Sequence, residues 1–354
     1  MAKSGRFTAL VVCTAIVASA YVAVPASSFA QTAAAAAPAK AQATPARATT
    51  KKKAYSPVSA RTRRANLARA RAAARARELK ELQTPRFRVD ALGHEVPDVR
   101  AEAAIIYNPE NGEVLWEDHA QDQRSIASIT KVMTALVFLE SGAALSTPVT
   151  VQRSDVSRAS TTYLRTGFKL TADDLLNLLL VGSDNAAARA LARISPFGSD
   201  GFIEKMNEKA RVMGLQSTHY ADPSGLLAEN VSSAYDLARL ISYASADERV
   251  SGIMRKTSFT THAGKRTISA NSTNQLVKTG DIDVLAGKTG FISRSGYCLA
   301  TLLRLPQTGQ QVAVVVLGAK SNASRFWETR HLFNWMSART KALLEGDQQV
   351  QEDE

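Results

Sequence analysis

Strand-like apolar runs stand near both ends of the hydrophobic part of this chain, and the sequence between them is patterned for helices. Ala103-Ala104-Ile105-Ile106-Tyr107 and Glu113-Val114-Leu115-Trp116 flank the turn Pro109-Glu110-Asn111-Gly112 and predict a β-hairpin. Far downstream, Tyr297-Cys298-Leu299-Ala300-Thr301-Leu302-Leu303 and Val312-Ala313-Val314-Val315-Val316-Leu317 predict a second hairpin across Pro306-Gln307-Thr308-Gly309. Two strands alone are marginal in water, so the early strands must pair with the late ones. The expectation is an α/β domain: a central mixed, mostly antiparallel sheet flanked by helices, with an all-helical lobe inserted between the hairpins.

The intervening segments carry helical signals. Ser125 to Leu139 repeats Ile126, Ile129, Val132, Met133, Leu136 and Val137 at helical spacing, with Ser125 placed to cap. Asp173 to Gly182 is almost entirely apolar and must be buried on most sides, and a second helix, Ala186 to Ile194, departs at once. A third runs from about Gly201 to Met213 and stops at Gly214. Another begins after Ser232 or Ser233, with Asp236 expected to reach back to the cap. A closing helix from about Arg325 to Leu344 offers Phe326, Trp327, Leu332, Phe333, Trp335 and Met336 as a core face. The acidic residues 346–354 read as a loose tail.

Charge and composition divide the chain further. The net charge of +12 would suggest a polyanion-binding domain, but it is concentrated in residues 31–86, where fourteen Lys and Arg meet only Glu78 and Glu81. Residues 87–345, the expected folded domain, belong to a stretch that is close to neutral, which argues against nucleic-acid binding through a basic domain face. Residues 31–86 are too poor in large apolar side chains to form a core. They read as a linker, with a helix-prone part from Ala60 to Leu82 that is suited to anionic lipid or an anionic wall polymer. Residues 1–30 resemble an export signal: Lys3 and Arg6, an apolar run from Phe7 to Val24, and small residues before Gln31. Cleavage after Ala30 is expected, with an uncleaved membrane anchor as the alternative, and the product would reside in the periplasm or cell wall. It would keep Cys298 alone, a small buried hydrophobe. The five histidines lack ligand spacing, so no metal and no cofactor is expected.

Chemistry is suggested by three short motifs in order. Ser128 and Lys131 lie one helical turn apart, which lets an amine take the proton of a hydroxyl. A chain of this length contains about one Ser-x-x-Lys by chance, so the pair means little alone. Ser183-Asp184-Asn185 follows the apolar helix, and Lys288-Thr289-Gly290 runs into the late hairpin. A second Lys-Thr-Gly, Lys278-Thr279-Gly280, leads into a polar turn and reads as a decoy. The ordered set is the one used by class A β-lactamases and penicillin-binding proteins. Attack on an amide assigns the parts: Ser128 as nucleophile, Lys131 as base, and Ser183 as proton relay to the leaving group. Asn185 would present its amide to substrate, and Lys288 with Thr289 would hold a carboxylate or carbonyl. Gly290 would leave room for an extended substrate along the sheet edge. A lysine acts as a base only with a lowered pKa, for which burial beside the Lys288 cation is the expected cause.

Beyond these motifs, residues 100–340 resemble the low-molecular-mass penicillin-binding proteins, the D-alanyl-D-alanine peptidases. The similarity extends through Asp222-Pro223-Ser224-Gly225-Leu226, Ser272-Thr273-Asn274-Gln275-Leu276-Val277, Lys288-Thr289-Gly290-Phe291 and Gly296-Tyr297-Cys298-Leu299, and favours the endopeptidase branch. The resemblance implies peptidoglycan peptides as substrate, β-lactams as covalent inhibitors, acylation of Ser128, and an oxyanion hole from the backbone N–H groups of Ser128 and Phe291. Ile292 stands where the family usually has Thr, which bears on one substrate hydrogen bond, and Asp184 is more usual in the lactamases. A β-lactamase would need a Glu-x-x-Leu-Asn segment between the second and third motifs, and none occurs. Carboxypeptidase activity and a non-catalytic penicillin sensor are the remaining alternatives.

Overall fold

Alanine and arginine are both strong helix formers, and in the computed structural model, which describes residues 59–352, they build helix α1 (Ala60–Gln83) with no buried residue. The export signal expected over residues 1–30 and the proline-bearing part of the linker lie outside the described residues. A two-stranded sheet of β1 (Phe87–Val89) and β2 (Glu95–Pro97) follows. Arg100 Nη2 then donates to the Glu81 carbonyl, tying the end of α1 to the domain.

The early hairpin is β3 (Ala103–Tyr107) with β4 (Val114–Asp118). Short β5 (Arg124–Ser125) leads into a single 3-10 turn, Ala127–Thr130, and α2 (Lys131–Glu140). The inserted lobe is not all-helical as expected: it comprises β6 (Pro148–Thr150), α3 (Arg153–Val156), β7 (Lys169–Thr171), α4 (Ala172–Val181), α5 (Asn185–Ile194) and α6 (Gly198–Val212), with β6 and β7 paired antiparallel. Short β8 (Val231–Ser232) pairs with β5, followed by α7 (Ala234–Ser245), α8 (Glu248–Met254), the hairpin β9 (Ser258–Ala263) with β10 (Arg266–Asn271), and α9 (Gln275–Thr279). The chain closes with β11 (Val284–Ile292), β12 (Gly296–Arg304), β13 (Gln311–Ala319) and α10 (Asn322–Glu352).

The central sheet has the order β11-β12-β13-β3-β4, so the late strands do pair with the early ones, Val315 opposite Ile105. Every pairing in it is antiparallel, so the mixed sheet of the sequence reading is not found. Alternation along β13 explains its unbroken apolar run. Ala313, Val315 and Leu317 face a core shared with α2, α4, α5 and α7, while Val312, Val314 and Val316 face α10. A strand covered on both sides has no polar face to display.

Three local expectations are corrected. Asp236 does not reach back to a cap: its carboxylate accepts from Ser217 N and Thr218 Oγ1, while its own N–H donates to Ser233 Oγ. The closing helix continues to Glu352, past the start of the predicted loose tail. Trp327 is only half-buried and lies beneath the Arg330 guanidinium, whereas Phe326, Leu332 and Phe333 fill the core as expected.

Candidate active site

Ser128 sits in the 3-10 turn that opens α2, and its position is set from behind. Ala127, just before it, holds φ 48°, a strained value for a residue with a side chain. Two glycines make the room. A Cβ on Gly225 would lie 2.0 Å from the Ala127 carbonyl oxygen, and one on Gly290 would lie 2.6 Å from that of Ile126. The Asp222 carboxylate folds the first of these turns by accepting from Ser224 Oγ, Gly225 N and Asn230 Nδ2. Ser125 is not the cap expected of it: it lies in β5, its buried hydroxyl is without a partner, and Ile126 occupies the cap position without a side-chain bond.

Lys131 is wholly buried, and its Nζ donates to three acceptors: Ser128 Oγ at 2.9 Å, Asn185 Oδ1 at 2.6 Å and the Ser224 carbonyl. Of these, only the serine hydroxyl can reverse the bond. When Lys131 loses a proton, the carbonyl and amide oxygens keep the remaining two N–H groups and the lone pair faces Ser128. Burial pushes the ammonium down to about 7; the charges of Asp222 and Asp184 oppose this and Arg189 assists it. Lys288 is not the principal cause, contrary to the sequence expectation. The effect runs the other way: Lys288 is itself held well below the ordinary lysine value, first by burial and then by Lys131 and Arg325.

The second wall comes from the junction of α4 and α5. Ser183 adopts φ 57° and its hydroxyl accepts from Lys288 Nζ at 2.8 Å, which leaves its own proton free to face the cavity. Asp184 caps α5 through Ala187 N at 2.9 Å and also takes Tyr163 N and Thr162 Oγ1, fixing the adjoining loop. Asn185 differs from the sequence reading. Its Oδ1 is bound to Lys131, and its Nδ2 donates to the Ala159 carbonyl and to Ser160 Oγ, so the amide holds Lys131 rather than standing open to substrate.

The third wall is β11, an edge strand of the central sheet. Lys288 and Thr289 are buried, with Thr289 Oγ1 donating to Thr273 Oγ1 at 2.6 Å. Phe291 is 49% exposed and stacks on Tyr297 at 4.2 Å. The other Lys-Thr-Gly lies at the end of α9, where Gly280 takes φ 65° as a helix terminator. Ser128, Ser183, Thr289, Gly290 and Phe291 open onto one cavity of about 180 Å³, which Thr161, Thr273 and Arg325 also line. Sequence reasoning missed these last three. Arg325 stood in a segment read only as core; its Nη1 donates to the Gly290 and Cys298 carbonyls, and burial lowers it to about 10.

Residues 90–321 match the profile of peptidase family S11, described as D-alanyl-D-alanine carboxypeptidase. The chain belongs to that family. This S11 peptidase is 35% identical to a D-alanyl-D-alanine endopeptidase of Haemophilus influenzae over 228 residues, 64% of this chain and 78% of the relative. It is 31% identical to an Escherichia coli protein of the same name over 245 residues, 68% and 78% of the two chains. An E. coli D-alanyl-D-alanine carboxypeptidase, DacC, is 30% identical over 68% of this chain and 62% of its own. Among solved structures, the Streptomyces K15 DD-transpeptidase superposes with a TM-score of 0.64 at 28% identity, covering 68% of this chain and 97% of the other. The penicillin-binding fold expected from the motifs is therefore the fold of this S11 peptidase, which is a serine-type D-Ala-D-Ala hydrolase.

Proposed function

We propose that this S11 peptidase hydrolyses D-Ala-containing cross-links between peptidoglycan stem peptides through an acyl-enzyme on Ser128. The observation that carries the reading is the wholly buried Lys131 Nζ at 2.9 Å from Ser128 Oγ, with its other N–H groups committed elsewhere. Neutral Lys131 takes the Ser128 proton while Oγ bonds to the scissile carbonyl carbon. The carbonyl electron pair moves to oxygen, where the N–H groups of Ser128 and Phe291 receive it. Collapse breaks the C–N bond as the leaving amine takes the Ser183 proton, and the proton that Lys131 accepted from Ser128 returns to Ser183 Oγ, which Lys288 Nζ holds in place. Lys131, neutral again, deprotonates a water that adds to the acyl carbonyl; the ester C–O bond breaks and Ser128 Oγ takes that proton back from Lys131. The Arg325 guanidinium offers a substrate carboxylate its counter-charge, with the Thr289 hydroxyl and Lys288 Nζ as hydrogen-bond donors.

The endopeptidase choice rests on the D-alanyl-D-alanine endopeptidases that are 31 to 35% identical to this chain, and carboxypeptidase is the rival. Fluorescent penicillin should label the protein and fail on Ser128→Ala; label surviving that change sinks the nucleophile. Purified cross-linked muropeptides then decide the rest. Loss of dimer supports the endopeptidase, release of terminal D-Ala alone supports the carboxypeptidase, and labelling without turnover supports a sensor.

We also propose export of the chain to the periplasm or cell wall, where α1 would tether it to an anionic wall polymer or membrane surface. Arg61, Arg63, Arg64, Arg69, Arg71, Arg75, Arg77 and Lys80 fall on every side of that exposed helix and leave it no apolar stripe. Such a rod supports electrostatic contact rather than insertion into a bilayer. No described helix is long and apolar enough to cross a membrane.

A further inference from the structure

A second cleft adjoins the catalytic cavity. It has a volume of about 260 Å³ and lies between the 163–168 loop and β10, where Tyr163, Arg165 and Phe168 face Arg266 and Ser269. Both arginines are exposed, and neither side chain has an ion-pair or hydrogen-bond partner among the described residues. Two guanidiniums lining one cleft without a counter-charge repel each other and gain from a shared anion.

The cleft lies next to the residue that would protonate the leaving group. A Cβ on Gly182, the neighbour of Ser183, would come within 2.7 Å of Tyr163 Cε2 and 2.9 Å of Ala270 Cβ on β10. Thr161 lines the catalytic cavity and Tyr163 the cleft, so one loop forms a wall of each. That loop is rigidly tied to the second motif: Tyr163 N donates to Asp184 Oδ2 at 2.6 Å, and Asn185 N to the Thr161 carbonyl at 2.9 Å. A peptide whose scissile nitrogen is protonated by Ser183 must send its leaving half past Ser183, whose neighbour Gly182 packs against Tyr163 of the cleft.

We propose that the cleft between the 163–168 loop and β10 binds the leaving half of the substrate, with Arg165 and Arg266 holding free carboxylates of the second stem peptide. The inference rests on the cross-link reading above and adds the substrate's charge to it. A leaving group of a single D-Ala would not reach the cleft, so the two arginines distinguish a cross-linked from an uncross-linked substrate.

The test is direct binding to the full-length protein made inactive by Ser128→Ala. A cross-linked muropeptide dimer with free carboxylates should bind about tenfold or more weakly once Arg165→Gln and Arg266→Gln are added. A dimer with its carboxylates amidated should bind both proteins equally. Thermal unfolding at an unchanged temperature establishes that the arginine variant is folded. Equal affinity for the free-carboxylate dimer in both proteins, or no binding to either, overturns the cleft assignment. Failure of the wild-type enzyme to cleave a dimer that it binds through the arginines would overturn the endopeptidase reading and leave the cleft standing.

Discussion

At the residue scale, the proposed mechanism makes the protonation of Lys131 set when Ser128 can be activated. Burial holds its folded pKa near 7, so the neutral base is populated above that value and disappears below it. Penicillin acylation should rise through about pH 7, falling about tenfold for each unit on the acid side. The Asp222 charge opposes the shift, so Asp222→Asn should move this acid limb to lower pH, which stopped-flow labelling across a pH series would read. A limb that stays put, or moves up, would show that Asp222 serves only to fold its turn. Linkage has a definite sign here. The lowered lysine costs stability in full below about pH 7, and that cost is relieved as pH rises from there toward the ordinary lysine value. Ser128, Lys131, Ser183 and Lys288 were legible as residue types in order. The direction in which Lys131 and Lys288 influence each other was not, because it depends on relative burial. The engagement of Asn185 with Lys131 was hidden likewise, since an amide has the same spelling whether it faces substrate or a neighbour.

Among the elements, the approach of β11 to the 3-10 turn decides whether the N–H groups of Ser128 and Phe291, the proposed oxyanion donors, converge. Gly290 permits it, and a side chain there would meet the Ile126 carbonyl and the Ser128 backbone nitrogen. Gly290→Val should therefore push the strand outward and slow acylation by about 100-fold, the penalty of roughly 1 Å of misplacement, with far-ultraviolet circular dichroism unchanged. Acylation within a factor of a few of wild type would mean that the turn yields instead. Strands were easy to read in this protein because both faces of β13 are covered and its residues from Val312 to Val316 are all β-branched or small. The two Lys-Thr-Gly copies were separable for a related reason: one continues into apolar sequence and the other into polar. The 3-10 turn and the unused Ser125 cap left no such trace, since tertiary contacts from Gly225 and Gly290, distant in sequence, shape that corner.

Over the whole molecule, charge and catalysis occupy separate parts of the chain. If α1 and the preceding linker act only as a tether, removal of residues 31–86 from the exported protein should leave penicillin acylation unchanged. Its retention on isolated cell envelopes should fall at low salt and be indifferent at high salt. Identical partition of the two proteins at both ionic strengths would assign the segment to spacing alone. The basic segment was legible from composition, and its helical half from propensity. The arginine cleft was not, because Arg165 and Arg266 lie far apart in sequence and become neighbours only when β10 folds against the lobe.

The strand order places β3 and β4, made early, beside β13, made last, with β11 held two strands further out. A growing chain therefore carries its serine and its first lysine long before the third wall exists. A truncated product that lacks β13 has no strand to join β11 and β12 to β3 and β4, and it should fail to take the penicillin label.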